Sequence, residues 1–167
     1  MMSVSSISTE KIKSILETVM DPEVPVISVI DLGIIREIKL ENDIIDIVIT
    51  PTYTGCPAMD VISMNIRLAL IEHGFPPIKI SSVLSPAWTT DWMTEKGKQK
   101  LKEYGIAPPN PRQIVCDTSH FATEEAVQCP HCHSWHTKRI SEFGSTACKS
   151  LYVCNECLEP FDYFKCH

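Results

Sequence analysis

No stretch of this chain is apolar over the roughly 18 to 20 positions that a bilayer-spanning helix needs, and the mean hydropathy is neutral, so no membrane association is expected. The first residues, Met1-Met2-Ser3-Val4-Ser5-Ser6-Ile7, lack a charged segment followed by an apolar one, so no export signal is expected and the chain is read as cytoplasmic. Basic residues are also scarce: 15 Lys and Arg stand against 21 Asp and Glu, and both sides of residue 105 share the acidic excess. A protein that grips a phosphate backbone needs the opposite balance, so nucleic acid is not an expected partner. There is no glycine-rich phosphate loop, no nucleophile elbow and no carboxylate–histidine set with di-iron spacing, which argues against turnover chemistry on this chain.

Cysteine is abundant and unevenly placed. Of the eight, all but Cys56 lie beyond residue 115. Two pairs, Cys129-Pro130-His131-Cys132 and Cys154-Asn155-Glu156-Cys157, have twenty-one residues between them, only slightly more than the roughly 15 to 20 usual for a four-thiolate zinc site. Each pair can form a knuckle aiming two sulfurs at one ion, with a hairpin running out and back between the knuckles, which is the plan of a zinc ribbon. The expected ligands are therefore Cys129, Cys132, Cys154 and Cys157. An iron–sulfur cluster on the same thiolates is the alternative, since sets of four cysteines hold both. Cys148 and Cys166 are candidate additional ligands, crowded by His131, His133, His136 and His167. A thiol–disulfide oxidoreductase at Cys129 and Cys132 is a rival reading, but the second pair is superfluous to it. Two disulfides would suit an exported chain, whereas a reducing compartment favours metal.

Ile106-Ala107-Pro108-Pro109-Asn110-Pro111-Arg112 is proline-rich and reads as the start of a connector. The expected organisation is an α+β domain over residues 1–105, a linker over 106–124 and a ribbon over 125–167. In the first domain Ser8 caps a helix with apolar positions Ile12, Ile15, Leu16 and Val19, stapled by Ile7 and ending at Asp21-Pro22. Two β-branched runs, 34–40 and 44–50, predict a hairpin. A helix over 57–73, apolar almost throughout, is expected to be a buried core helix, followed by a strand over 78–84 and a charged helix over 91–104. The order is α-β-β-α-β-α.

Cys56 falls between the hairpin and that core helix. With Pro57 at the first helical position it is the expected N-cap, where free amides and the helix dipole would lower its pKa and make it a nucleophile or ligand. A buried structural cysteine is the plainer reading. Asp21 and Glu23 are candidate partners as ligand, proton acceptor or docking charge, though an Asp-Pro turn also places acids for local backbone bonding. Trp88 and Trp92 fit a partner-binding patch or a core role equally well.

Asp21-Pro22-Glu23-Val24-Pro25, Asp31-Leu32-Gly33 and Thr54-Gly55-Cys56-Pro57 resemble the motif set of the small iron–sulfur assembly domain found in cluster-targeting proteins. Leu84-Ser85-Pro86-Ala87-Trp88-Thr89-Thr90-Asp91-Trp92-Met93, Tyr104-Gly105-Ile106-Ala107-Pro108-Pro109, Glu142-Phe143-Gly144-Ser145-Thr146-Ala147-Cys148 and Glu159-Pro160-Phe161-Asp162-Tyr163-Phe164-Lys165-Cys166-His167 resemble the PaaD-like family of the bacterial phenylacetyl-CoA epoxidase system. The resemblance implies a non-catalytic accessory or maturation role in aerobic phenylacetate breakdown. It also implies a transient iron or iron–sulfur cluster at Cys56, with Asp21, Glu23 and Thr54 as neighbours. The implied partners are the oxygenase subunits, the reductase or the iron–sulfur assembly machinery. A stoichiometric structural subunit of the oxygenase is the alternative role.

Overall fold

Ser8 opens the first helix: its hydroxyl accepts from the Lys11 amide at 3.2 Å, and α1 (Thr9–Leu16) buries Ile12, Ile15 and Leu16. The helix stops one turn earlier than expected. Thr18 bonds back to the Ile15 carbonyl through both its hydroxyl (2.7 Å) and its amide (2.9 Å), tightening the last turn and ending the ladder. The computed structural model describes residues 8–41, 44–109 and 127–165, so the expected Ile7 staple, the hairpin turn, the linker from residue 110 on, Cys166 and His167 lie outside the described residues.

β1 (Ile35–Glu41) and β2 (Ile44–Ile49) form the predicted antiparallel hairpin, with Ile38 opposite Ile47 and Leu40 opposite Ile45. A bulge at Arg36 lays its guanidinium over the Trp92 ring, 3.3 Å from the centroid. α2 (Ala58–Glu72) then carries the chain across to β3 (Ile78–Ser82), which pairs parallel to β2, so the sheet order is β1-β2-β3. Period-2 alternation buries Ile45, Ile47 and Ile49 on one face. The other face carries Asp46, bonded to Lys79 and Ser81.

The expectation that α2 is a buried core helix holds for one face only. Ile62, Ile66 and Leu70 are buried, but Val61, Met64, Leu68 and Ile71 are 40 to 55 % exposed. A core layer on one side of a helix covers only one stripe of it.

Asp31-Leu32-Gly33 anchors the segment after the strands. Asp31 is buried and accepts from the Thr94 hydroxyl at 2.8 Å, while its carbonyl accepts from the Thr94 amide at 2.9 Å. Gly33 has φ of +73° and lies so close to Trp92 that a Cβ would stand 2.1 Å from that residue's carbonyl oxygen. Trp88 is a core residue whose indole donates to the Leu32 carbonyl at 3.0 Å. That resolves its two readings in favour of packing.

The chain divides into two compact units, the first running up to Trp88 with Trp92–Thr94, the second comprising Thr89–Asp91 and the residues from Glu95 on. The expected helix over 91–104 is a short 3-10 turn, Thr90–Trp92, and α3 (Glu95–Glu103). α3 and β4 (Ile106–Ala107), expected in the first domain and the linker respectively, group with the second unit. β4 pairs parallel to β7 (Pro160–Phe164), which is antiparallel to β6 (Lys149–Cys154), in turn antiparallel to β5 (Thr137–Ser141). The order is β4-β7-β6-β5. Tyr152 on β6 is its core residue, stacked on Phe161 and edge-on to Tyr163. Lys149 is buried beside Asp162, 3.7 Å away.

Candidate metal centre and the Cys56 loop

The two Cys-x-x-Cys segments fold into knuckles of matching design. In one, the Cys129 carbonyl accepts from the His133 amide and the Cys129 amide donates to the Ser134 carbonyl; in the other, Cys154 does the same with Leu158 and Glu159. In both, the residue after the second cysteine is left-handed, His133 at φ 62° and Leu158 at φ 63°. This conformation curls the backbone around the sulfurs, although neither residue is the glycine that would adopt it most readily. The knuckles join where β6 ends, and the Asn155 amide bonds the His136 carbonyl at 2.9 Å.

The four sulfurs converge. Cys129 and Cys157 Sγ are 3.7 Å apart, Cys132 and Cys154 Sγ are 3.5 Å apart, and all four lie within 4.8 Å of one another. Sulfurs each about 2.3 Å from a tetrahedral zinc stand about 3.8 Å from one another, so this donor set fits a single ion. Its electrostatics agree. Amides of Cys157 and Glu156 hold the Cys154 thiol down at about 7. The Glu159 amide pulls Cys157 down too, but burial and the three neighbouring sulfurs outweigh it and push it up to about 12. Four crowded thiols resist losing all their protons unless a cation joins them.

Burial within the set is uneven. Cys129 and Cys154 are fully buried in the ribbon core, Cys157 packs against that core, and Cys132 is exposed. Cys148, a candidate fifth ligand, is instead buried with the Thr146 hydroxyl 3.0 Å from its sulfur, and does not belong to the four-sulfur group. His131 lies elsewhere on the ribbon surface, its ring 3.3 Å from where a Gly105 Cβ would stand. His136 faces Glu156 at 3.1 Å.

In the first unit, the chain between β2 and α2 turns through Gly55, at φ +81°, to present Cys56 half-buried. Pro57, not Cys56, takes the cap position of α2, and no side chain among the described residues caps that helix. The expectation of an acidified thiol is reversed. Burial raises the Cys56 pKa above its usual value; the Ala58 amide and the Tyr53 hydroxyl pull it back, and the charges of Glu23 and Asp21 push it further up. The Asp-Pro-Glu segment and the thiol are thus electrostatic neighbours. Asp21 is also a structural anchor, its Oδ1 accepting from the Glu23 and Val24 amides, both at 2.8 Å. Thr54 is exposed on the turn. Tyr53 was missed in the sequence, where nothing sets it apart from other loop tyrosines. Also missed was Thr50, whose hydroxyl is buried at the loop's start with no hydrogen-bond partner among the described residues.

With this geometry in place, the comparisons are specific. Residues 9–74 match the family model "Iron-sulfur cluster assembly protein" and residues 115–165 match "PaaD zinc beta ribbon domain". The first unit is similar to a domain of unknown function, DUF59, from Bacillus anthracis, at 27 % identity and a TM-score of 0.51 over 55 % of this chain and 89 % of that one. A conserved hypothetical protein of Thermotoga maritima has the same fold, with a TM-score of 0.50 and 22 % identity over 60 % of this chain and 98 % of that one. An Fe-S protein maturation auxiliary factor of Porphyromonas gingivalis is 35 % identical over 55 % of this chain and 89 % of its own length. Fold and site together define an iron–sulfur assembly domain joined to a four-cysteine ribbon.

A protein of Escherichia coli (strain K12) named as the D component of a 1,2-phenylacetyl-CoA epoxidase is 47 % identical over 93 % of this chain and 92 % of its own length. The chain belongs to that family, the PaaD proteins of the phenylacetyl-CoA epoxidase system.

Proposed function

We propose that the chain is a non-catalytic maturation factor of the phenylacetyl-CoA epoxidase system, working in the cytoplasm and helping to install iron or an iron–sulfur cluster in the oxygenase or its reductase. The observation that carries this reading is the separation of Cys56 from the four clustered thiols. Four are gathered around one ion-sized point, while Cys56 belongs to the other unit, half-buried and under the influence of Asp21 and Glu23.

In this reading Cys129, Cys132, Cys154 and Cys157 hold one zinc. Sulfur spacings of 3.5 and 3.7 Å suit a shared ion, whereas thiolates of a cluster end on several irons and spread wider. Bound zinc supplies charge neutralisation and cross-linking of the two knuckles, so the ribbon is a platform and not a redox dithiol. Cys56 is the working thiol. Neutral at rest, it ionises only on meeting a cation that offsets Asp21 and Glu23, which then serve as further donors or as the attraction that brings iron in.

The test is the iron and acid-labile sulfide content of the oxygenase and reductase purified from cells carrying Cys56→Ser. The expected result is a deficit in one client at normal levels of this protein. Full content with wild-type activity would remove the role given to Cys56. Co-purification at fixed stoichiometry with an active, fully loaded oxygenase would make the chain a structural subunit instead.

A further inference from the structure

α2 has two apolar faces, and among the described residues one of them is buried. The inward face is Ile62, Ile66 and Leu70; Val61, Met64, Leu68 and Ile71 point roughly 180° away at 100° per residue, each 40 to 55 % exposed. Their spacing of three, four and three is the a-d-a-d pattern of two heptads, a period of 3.5 that suits a seam between paired helices. A scatter of exposed apolar residues needs no explanation, but a continuous line along one helix does.

The residues flanking the seam indicate its occupant. With Val61 and Leu68 at a, and Met64 and Ile71 at d, Asp60 and Arg67 take the g positions and Asn65 and Glu72 the e positions; Arg67 and Glu72 are both exposed. In a parallel pair of identical helices, g of one copy faces e of the next heptad in the other. Arg67 of each copy then faces Glu72 of its partner, twice over by symmetry, and Asp60 faces uncharged Asn65. An antiparallel pair would bring Arg67 against Arg67. The seam is self-complementary in one orientation only.

We propose that this face is a homodimer interface in which α2 packs parallel against α2 of a second copy. Four half-exposed side chains a side fall short of the ~800 Å2 per partner of a standard interface, so the dimer is weak and concentration-dependent. A parallel pair also puts the two helix N-termini, and with them both Cys56-bearing loops, at the same end of the assembly. The dimer itself does not depend on the role given to Cys56.

Sedimentation equilibrium of the full zinc-loaded chain from low to high micromolar concentration tests this, with Leu68→Asp, Arg67→Glu, Glu72→Arg and the double charge swap Arg67→Glu/Glu72→Arg. Far-UV circular dichroism checks that each variant is folded. The wild type should rise toward twice the monomer mass. Leu68→Asp and each single charge variant should weaken association at least tenfold, and the double swap should return it to within about threefold of wild type. A wild type that stays monomeric throughout would give the stripe to a different protein and overturn the proposal. So would association indifferent to Leu68→Asp, or a double swap that fails to rescue.

Discussion

Truncating two neighbours on α2 measures how one-sided its burial is. Ile66 is fully buried between the helix and the sheet, and Leu68 is 51 % exposed two residues on. Ile66→Ala removes three carbons from a packed site and leaves a cavity, at a cost of about 2–5 kcal/mol. Leu68→Ala removes the same number of carbons, but about half of the side chain is already in water and alanine slightly favours the helix. Its cost should be about 0.5–1 kcal/mol. The difference, about 1–4.5 kcal/mol, is at least roughly 5-fold in the unfolding equilibrium. Urea denaturation of the zinc-loaded protein at low micromolar concentration, followed by far-UV circular dichroism, reads both while keeping self-association small. Equal losses from the two variants would refute the one-sided helix and restore the largely buried one that its composition suggests.

Three further outcomes follow from the geometry. Gly33→Ala forces a Cβ to within 2.1 Å of the Trp92 carbonyl oxygen at a left-handed backbone, so the first unit should lose several kcal/mol in thermal or urea unfolding. Cys56 in the folded protein should alkylate more slowly at pH 7 than an unfolded control. Because its pKa is raised above the ordinary thiol value of 9.0, the rise of its rate with pH should be displaced to higher pH than that of the control, which is only half complete at about pH 9; Asp21→Asn should shift the profile to lower pH. Within the ribbon, limiting iodoacetamide after partial chelation should label exposed Cys132 first and fully buried Cys129 and Cys154 last, as peptide mass spectrometry would show.

Much of the fold was legible because short-range chemistry specifies it. Ser8 caps α1, the β-branched runs pair as a hairpin, and the two Cys-x-x-Cys segments converge because each knuckle closes on itself through backbone bonds. What escaped the sequence depends on neighbours distant along the chain. The apolar content of α2 marks two sticky faces but not which one the sheet covers. Ile106 and Ala107 looked like the start of a linker because of the prolines after them, yet their partners are Asp162 and Tyr163, more than fifty residues on. The Cys56 pKa went the wrong way for a similar reason. The dipole of α2 is visible in the sequence, whereas burial and the approach of Asp21 and Glu23 are products of folding, and together they outweigh it.

A closed zinc site distinct from a working thiol is the central claim about this protein. Zinc, iron and acid-labile sulfide per chain, measured on anaerobically purified wild type, Cys56→Ser and Cys154→Ser, address it most directly. The expected result is one zinc per chain in the wild type, the same in Cys56→Ser, and little or none in Cys154→Ser. Iron and sulfide lost with Cys154→Ser, or zinc lost with Cys56→Ser, would contradict it.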